Sequence, residues 1–313
     1  MIPSQRDVQQ AFDRVRPHVH QTPVLTSRLL DELSGASIFF KCENFQKMGA
    51  FKMRGAINAI LQIPPADQAK GVVTHSSGNF AQAVSLAAKN LGIPAYIVMP
   101  NNAPQVKKDA VVSYGGIIYE SEATIAAREA MASKIQDKTG ATFLHPSNHI
   151  DVILGQGTAA IELLQEQPSL NCIITPVGGG GLLAGSALAA KYFGSSIGVY
   201  AGEPFNADDG YRSLQSGKIE YNTTVNTIAD GLRTHLGDKN FPIIKTLVTD
   251  IIRVEEQEII AAMKLLWERL KIIIEPSCAV PFAALLRDKK TFAGKKVGII
   301  LSGGNVDLTN LPF

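Results

Sequence analysis

"CIITPVGGGGLLAGSALAAKY", residues 172–192, joins a short apolar run to a longer one through four consecutive glycines. The first run has the length and β-branched content of a buried strand, and the second is long enough for a buried helix. Because glycine has no Cβ, the backbone amides of the turn can approach a ligand, and a helix N-terminus adds free N–H groups and a positive dipole end. The stretch predicts a strand, a turn that binds an anion such as phosphate, and a helix.

Short β-rich runs alternate with helical patterns on both sides of this unit. The runs before it are "SIFFKC", "GVVTH", "AYIVMP", "GIIYE" and "TFLH", and the runs after it are "IGVYAGE" and "KVGIILSGG". Such alternation predicts the α/β class, with parallel sheets covered by helices on both faces. Ligands of these sheets bind beyond the carboxyl ends of the strands, so the functional residues are expected in the strand-to-helix turns.

The composition indicates a globular protein that binds a small molecule. The 313 residues are 45% hydrophobic and 19% charged, which suffices for one large domain or two smaller ones. The 30 basic and 28 acidic side chains are interspersed, and no block of like charge suits nucleic acid or a membrane surface. Cys42, Cys172 and Cys278 lack the spacing of a disulfide framework or a zinc site. Because the chain shows no signal peptide and no long apolar span, a cytoplasmic location is expected.

Three further turns carry polar side chains. "SSGNFAQA", Ser76–Ala83, places two hydroxyls and an amide at a second helix N-terminus, and suits either a bound carboxylate or ring oxygen, or a simple helix cap. "LSGGN" places Ser302 at a strand end, where an ordinary β-turn is the simpler interpretation. "GEPFNADD" supplies Glu203, Asp208 and Asp209, which suit either a hard cation such as Mg²⁺ or Ca²⁺, or a solvated acidic loop.

The glycine turn itself has more than one interpretation. "GGGLLA", Gly179–Ala184, also fits the degenerate dinucleotide-binding fingerprint, and Glu203 follows about where a ribose-binding acid would lie. A flexible linker fits less well between two apolar elements. A phosphate cradle is the third interpretation, and spacing alone does not separate it from the dinucleotide fingerprint. Combined with the polar loop of Ser76–Ala83 and an amine that can form a Schiff base, a phosphate cradle would suit pyridoxal phosphate chemistry. "MGAFKMRGA", Met48–Ala56, offers Lys52 near a glycine, although most lysines are solvated surface charges.

These turns and this lysine are together similar to the serine racemase and serine/threonine dehydratase branch of the fold-type II pyridoxal phosphate enzymes. Eight segments carry the resemblance, in order along nearly the whole chain: "ENFQKMGAFKMRGA", "SSGNFAQA", "HPSNHIDVILGQGT", "PVGGGGLLAG", "GEPFNADD", "ADGL", "KIIIEPS" and "LSGGNVDLT". The resemblance favours pyridoxal phosphate over a nicotinamide cofactor. It implies two parallel-sheet α/β domains with the cofactor in the cleft between them: a large domain of residues 1–72 and 148–313, and a small domain of residues 73–147 inserted into it.

The resemblance also implies roles for individual residues. Lys52 would form the Schiff base and remove a proton from the substrate, and Ser77 would be a second acid/base on the opposite face. The residues implied to hold the cofactor are Phe51 against the ring, Asn79 at the 3′-oxygen, Gly178, Gly179, Gly180 and Gly181 at the phosphate, and Ser302 at the ring nitrogen. The substrate carboxylate would be bound by Ser76, Ser77 and Asn79. Arg128 would also reach the substrate, the alternative being an exposed arginine on a helix.

The acidic loop matches the divalent-metal ligands of the family, which would be Glu203, the Ala207 carbonyl and Asp209. The implied cofactors are therefore pyridoxal 5′-phosphate and Mg²⁺ or another divalent cation. A small amino acid is the expected substrate, and a homodimer is the expected assembly.

The resemblance implies a lyase that converts L-serine, and also L-threonine, to a 2-oxo acid and ammonia, with serine racemase activity in addition. Two positions depart from the usual pattern: Phe80 replaces a histidine after Asn79, and Ala50 replaces a common serine. The paired Ser76 and Ser77 are more typical of racemases and hydroxyaspartate dehydratases. Dehydration of threo-3-hydroxyaspartate is the alternative within the family, and a nicotinamide-dependent dehydrogenase is the alternative from another class.

Overall fold

Two β-sheets organise the chain, of which the computed structural model describes residues 2–313. The strands are β1 (Val24–Leu25), β2 (Ser37–Cys42), β3 (Val72–His75), β4 (Ala95–Pro100), β5 (Ile117–Ser121), β6 (Thr142–Phe143), β7 (Cys172–Pro176), β8 (Gly198–Pro204), β9 (Asp250–Val254) and β10 (Lys296–Leu301). A six-stranded sheet has the order β1-β2-β10-β7-β8-β9, and a four-stranded sheet has the order β5-β4-β3-β6.

Helices connect and cover the strands. The α-helices are α1 (Gln5–Val15), α2 (Arg28–Ser34), α3 (Lys52–Leu61), α4 (Pro65–Gln68), α5 (Asn79–Asn90), α6 (Gln105–Ser113), α7 (Ile125–Thr139), α8 (Ile150–Glu166), α9 (Gly181–Phe193), α10 (Asp209–Ser216), α11 (Phe241–Leu247), α12 (Glu256–Leu270), α13 (Pro276–Arg287) and α14 (Lys289–Phe292). Short 3-10 turns are formed by Arg16–His18, Glu43–Phe45, Lys47–Gly49, Phe205–Ala207 and Asp230–Leu232. Within residues 2–313, no helix is both long and apolar enough to cross a membrane.

The predicted α/β class with two parallel sheets is confirmed. Strand pairs are parallel in both sheets, with the single exception of β1, which runs antiparallel to β2 at the edge of the larger sheet. All five residues of β7 are buried, as expected for a central strand covered on both faces. Apolar cores lie on the two faces of the larger sheet, and a third core packs α3 and α5 against the smaller sheet.

Two elements differ from the predicted pattern. Helix α8 begins at Ile150, seven residues before the predicted helical segment "GTAAIELLQ", and it includes Gly155 and Gly157. These glycines lie where α8 contacts neighbouring helices at backbone distance, so the packing compensates for their low helix propensity. Strand β9 lies outside the predicted runs, because its sequence "DIIRV" mixes charged and apolar residues at an edge of the sheet.

The four turns singled out in the sequence follow the carboxyl ends of β3, β7, β8 and β10. The four-stranded sheet comprises strands between residues 72 and 143, within the segment predicted to form the small domain. The domain boundaries at residues 73 and 147 stay a prediction.

Candidate active site

Lys52 is the first residue of α3 and follows a tight turn. Gly49 has a φ of +77°, and Met48 also adopts the left-handed region with a φ of +54°. The turn is held against the end of β10, because the Phe51 amide donates to the Ser302 carbonyl at 3.0 Å and Ala50 forms a bridge with Gly303. Gly49 therefore allows the chain to reverse direction just before α3. Lys52 is in this way placed at the N-terminus of that helix.

The Lys52 amine lies in a weakly solvated environment. Its Nζ donates to the Pro146 carbonyl at 2.9 Å and lies 4.9 Å from the ring centre of Phe51 and 5.7 Å from that of Phe80. Burial lowers the pKa of Lys52 to about 8, although the carboxylate of Glu275 partly opposes this shift. No carboxylate within the described part of the chain forms an ion pair with it. A larger fraction of neutral amine at physiological pH suits a nucleophile or a base, which a solvated surface lysine would not provide.

The opposite side of α3 is fixed by a buried ionic network. Arg54 is fully buried and binds Glu43 and Glu162 through four hydrogen bonds of 2.7–2.8 Å. Lys41, also fully buried, lies 2.9 Å from Glu162 and donates to the Thr22 carbonyl at 2.6 Å. The first turn of α3 is thereby tied to β2 and α8.

The glycine turn between β7 and α9 is shaped by close contacts. Gly180 has a φ of +78°, a conformation that favours glycine. A Cβ on Gly178 would lie 2.7 Å from the Leu232 Cα, and a Cβ on Gly179 or Gly181 would overlap the side chains of Ser147 or Gln156. No side chain caps α9, so its first amides are free for a ligand. These open amides at a helix N-terminus fit the phosphate of a cofactor.

The loop after β3 leaves a second helix N-terminus open. Gly78 is the N-cap residue of α5, and no side chain makes the capping hydrogen bond. The interpretation of Ser77 or Asn79 as a simple helix cap is therefore wrong. Ser76 accepts a long hydrogen bond from the Gly78 amide at 3.4 Å. Ser77 itself is partly exposed.

Asn79 is held by two residues from the C-terminal part of the chain. Its Nδ2 donates to both carboxylate oxygens of Glu275 at 3.0 and 3.1 Å, and its Oδ1 accepts from Asn305 at 2.9 Å. Burial raises the pKa of Glu275 to about 7, and the hydrogen bond from Asn79 opposes this shift. Glu275 is a site residue that the sequence analysis did not single out. The only signal was a glutamate that directly follows three isoleucines in "KIIIEPS".

Ser302 is a buried residue at the end of β10. It is 2% exposed, and its hydroxyl lies 3.5 Å from the thiol of Cys278. The ordinary β-turn considered for "LSGGN" is therefore wrong, because this segment pairs with the turn that precedes Lys52. The backbone of Ser302 is thus fixed beside Phe51, the residue that precedes Lys52.

Arg128 lies on α7, apart from Lys52. It is partly exposed, and its side chain donates a long hydrogen bond to the Thr124 carbonyl at 3.4 Å. Its charge contributes to lowering the pKa of His75, after burial, which places it near the start of the Ser76–Asn79 loop. The interpretation as an ordinary helix arginine stays open, and a contact with substrate stays a prediction.

Two carboxylates of the acidic loop are buried side by side, so a solvated loop is the wrong interpretation. Glu203 and Asp209 are both 0% exposed, and Ala207 between them is 1% exposed. Burial, followed by the charge of Asp209, raises the pKa of Glu203 well above its usual range. Burial also raises the pKa of Asp209 to about 6. Asp208 turns away and pairs with Arg212 and Arg253.

The partners of these carboxylates do not balance their charge. Glu203 accepts from the backbone amides of Gly210 at 2.9 Å and Tyr211 at 2.7 Å, and Asp209 accepts from Asn222 at 2.6 Å. Among residues 2–313, no basic side chain forms an ion pair with either one, and no group of three or more His, Cys, Asp or Glu suits a metal. Two buried oxygen ligands without a countercharge fit a hard cation that completes its shell with carbonyl oxygen and water.

A poorly solvated lysine at the start of one helix, and a glycine turn with uncapped amides at the start of another, are features of one class of cofactor enzyme. The sequence profile described as "Pyridoxal-phosphate dependent enzyme" matches residues 15–303, and the chain belongs to this family. The protein is therefore an enzyme that depends on pyridoxal phosphate, and the nicotinamide interpretation of the glycine turn is wrong.

Individual proteins of this family with similar sequences and structures indicate which branch of the family the chain resembles. The chain is 47% identical over 312 residues to a beta-hydroxyaspartate dehydratase of Paracoccus denitrificans, covering 100% of this chain and 99% of that protein. It is 52% identical over 309 residues to a serine racemase of Arabidopsis thaliana, covering 97% of this chain and 93% of that protein. The crystal structure of a serine racemase from Dictyostelium discoideum superimposes with a TM-score of 0.94 at 49% identity, covering 98% of this chain and 100% of that one. The resemblance to serine racemases and related dehydratases is confirmed.

Proposed function

We propose that the protein is an ammonia-lyase that converts L-serine to a 2-oxo acid and ammonia, and that it also racemises serine. L-threonine is a further proposed substrate. The observation that carries the proposal is the Lys52 amine, whose pKa is lowered to about 8 and which lies at the start of α3 beside Phe51 and Phe80. Two of the relatives named above are serine racemases, which supports the choice of substrate.

The proposed cofactor site uses residues from three turns. The amides of Gly178, Gly179, Gly180 and Gly181 would bind the phosphate, Phe51 would lie against the ring, Asn79 would bind the 3′-oxygen, and Ser302 would face the ring nitrogen. When bound, pyridoxal phosphate supplies an electron sink for negative charge at the substrate Cα. A hydroxyl supplies no negative charge to keep a ring nitrogen protonated, so Ser302 would favour loss of a β-substituent over amino transfer.

Lys52 would have two roles at one atom. Its neutral Nζ would attach to the cofactor, and after release it would take the proton from the substrate Cα. The Pro146 carbonyl, at 2.9 Å, accepts a hydrogen bond from this amine when it is protonated. Loss of hydroxide from the substrate Cβ then requires no second base.

Racemisation requires a proton donor on the other face of the Cα. Ser77 is proposed for this role, since it precedes the uncapped N-terminus of α5, where the positive end of the helix dipole stabilises an alkoxide. Ser76 and Asn79 would bind the substrate carboxylate next to it. Asn79 is oriented for this by Glu275 and Asn305.

A second candidate reaction is the dehydration of threo-3-hydroxyaspartate. It is favoured by the position of Arg128 near His75, where a guanidinium would reach a second carboxylate. The name of the Paracoccus relative supports the same reaction class.

The test of the proposed function compares wild type with Lys52→Ala and Ser77→Ala. Ammonia and 2-oxo acid are measured with serine, threonine and 3-hydroxyaspartate enantiomers, together with conversion of L-serine to D-serine. Lys52→Ala should abolish every activity and the borohydride-reducible link to the cofactor. Ser77→Ala should slow racemisation by roughly 10²-fold and spare most dehydration of L-serine.

A normal reducible link in Lys52→Ala would assign the nucleophile to another lysine. Equal racemisation by Ser77→Ala and wild type would remove Ser77 from the opposite face.

A divalent cation is proposed at Glu203, the Ala207 carbonyl and Asp209, with Mg²⁺ as the first choice. The two buried, uncompensated carboxylates support it. A homodimer and a cytoplasmic location also stay predictions, of which the first is tested by sedimentation.

A further inference from the structure

Helix α8 packs at backbone distance against two helices of the proposed active site. A Cβ on Gly155 would lie 2.8 Å from the Gly55 Cα, one turn after Lys52 on α3. On the other side, a Cβ on Gly157 would lie 2.5 Å from the Gly185 carbonyl oxygen, one turn into α9. Helix α8 therefore fixes the separation between the helix that carries Lys52 and the helix that begins at the glycine turn.

Gln156 lies between these two crossings and is fully buried. Its Nε2 donates to the Pro146 carbonyl at 3.2 Å, which is the same oxygen that accepts from the Lys52 amine at 2.9 Å. Its Cγ lies beside Gly55, where an added Cβ would approach to 2.9 Å. One side chain thus contacts both the helix of Lys52 and the acceptor of its amine.

The other end of the Gln156 amide faces the glycine turn. Its Oε1 occupies the place that a Cβ on Gly181 would need, at the first residue of α9. This oxygen is buried and has no hydrogen-bond partner in the described part of the chain. The opposite orientation of the amide would place two acceptor oxygens against each other at Pro146, so the polar network fixes which end faces the turn.

We propose that Gln156 is a positioning residue, which holds the Lys52 amine at a set distance from the phosphate cradle through the Pro146 carbonyl and the Gly181 backbone. This inference rests on the proposed role of Lys52. It extends that proposal to a residue of the "GQGT" segment, which has no assigned part in the reaction. A misplacement of about 1 Å between a reactive group and its substrate can cost about 10²-fold in rate.

The test uses the holoenzyme with two substitutions at one position. Gln156→Glu keeps the shape of the side chain and adds a negative charge between the lysine and the phosphate. At alkaline pH, the cofactor dissociation constant should rise at least about tenfold, because the charge repels the phosphate. The pH at which the visible absorbance of the lysine-bound cofactor titrates should move upward, since a nearby carboxylate favours the protonated nitrogen.

Gln156→Met keeps the length and removes both polar atoms. It should lower kcat by roughly tenfold with little change in KM, because the proposed substrate contacts lie on the loop after β3. The matched control is Gln165→Glu, the same charge change at an exposed position of α8, which should behave as wild type. If Gln156→Met fails to fold, Gln156→Leu, which also lacks both polar atoms, is measured in its place.

The inference is overturned if Gln156→Met keeps the kcat and the cofactor affinity of wild type, since Gln156 would then only fill space between helices. It is also overturned if Gln156→Glu binds cofactor and titrates as Gln165→Glu does, since residue 156 would then not lie between the lysine and the phosphate. Either outcome leaves the proposed function intact. Failure of the proposed function has a different result, namely a normal reducible cofactor link in Lys52→Ala.

Discussion

Two clusters of charged side chains are buried in this protein, and they differ in whether their charges balance. Around Arg54, two fully buried cations, Lys41 and Arg54, meet the buried carboxylates of Glu43 and Glu162. In the acidic loop, Glu203 and Asp209 are buried together without a basic partner among residues 2–313. The buried charges of the first cluster balance within the chain. The second cluster, with both carboxyls ionised, needs a cation from outside the chain to balance its charge.

The pKa values follow this difference. Burial alone would raise the pKa of Glu43, but the contacts of Arg54 more than offset that effect and lower it. At Glu203, burial and the charge of Asp209 both act upward, and the two amide hydrogen bonds do not compensate. The same residue type is therefore held ionised in one cluster and driven toward its neutral form in the other.

The largest change in the free energy of unfolding is expected when the cluster around Arg54 loses its central cation. Arg54→Met leaves Glu43 and Glu162 buried without their shared cation, and should lower the free energy of unfolding by about 3–5 kcal/mol. Urea denaturation measures the change. Arg54→Lys, which keeps the charge but cannot bind both carboxylates in the bidentate manner, should lose less. A loss below about 1 kcal/mol in Arg54→Met would show that the carboxylates find other partners.

The folded state should become more stable when a divalent cation binds the carboxylates of the acidic loop. If Glu203 and Asp209 bind Mg²⁺, a hundredfold excess over the dissociation constant stabilises the folded state by about 2.7 kcal/mol relative to chelated protein. Thermal unfolding with and without a chelator measures this difference, and a monovalent salt at equal ionic strength is the control. Identical unfolding curves would contradict a cation site.

The pH dependence of the folding stability should differ between the metal-free and the metal-bound protein. A carboxyl whose pKa is raised in the folded state binds its proton more tightly there, so its stabilising contribution is present at low pH. For Asp209, this contribution is lost as the pH rises from 3.8 through about 6. The loss should be on the order of 1 kcal/mol or more in chelated protein, and the stabilisation by Mg²⁺ should grow over the same range. Asp209→Asn should weaken both trends and leave only the part that the raised pKa of Glu203 contributes. Trends of unchanged size would assign them to another group.

The smallest effect is expected at Asp208, which lies in the same loop but is already paired with Arg212 and Arg253. Asp208→Asn should cost less than about 1 kcal/mol, as is usual for solvent-accessible ion pairs. Its response to Mg²⁺ should equal that of wild type. A lost response, measured in the same unfolding assay, would place Asp208 among the metal ligands.

The sequence was most informative where structure is decided locally. The glycine turn after "CIITPV" and the alternating runs depend on residues a few positions apart, and both are present in the structure. The family resemblance adds the expected cofactor, which the family match confirms. The roles of single residues such as Ser77 and Arg128 remain predictions, because they concern a ligand.

What the sequence did not indicate depends on contacts between distant segments. Arg54 and Glu162 are 108 positions apart, and Asn79 and Glu275 are 196 positions apart. Neither pair has a local pattern, since a buried charge is recognisable only after the chain has brought its partner to it. The antiparallel edge strand β1 is likewise too short, at two residues, to show an alternation.

The crossing of α3 and α8 at Gly55 and Gly155 closes a loop of the chain that includes the whole four-stranded sheet. The entropy of closing such a loop grows only with the logarithm of its length, by about 0.6 kcal/mol for each doubling. Insertions or deletions inside the loop therefore cost little, provided that the crossing survives. The segment that carries Ser76, Ser77 and Asn79 can diverge between relatives while the helices that carry Lys52 and the glycine turn keep their separation. If this segment binds the substrate as proposed, changes in its length need not disturb the separation of those two helices.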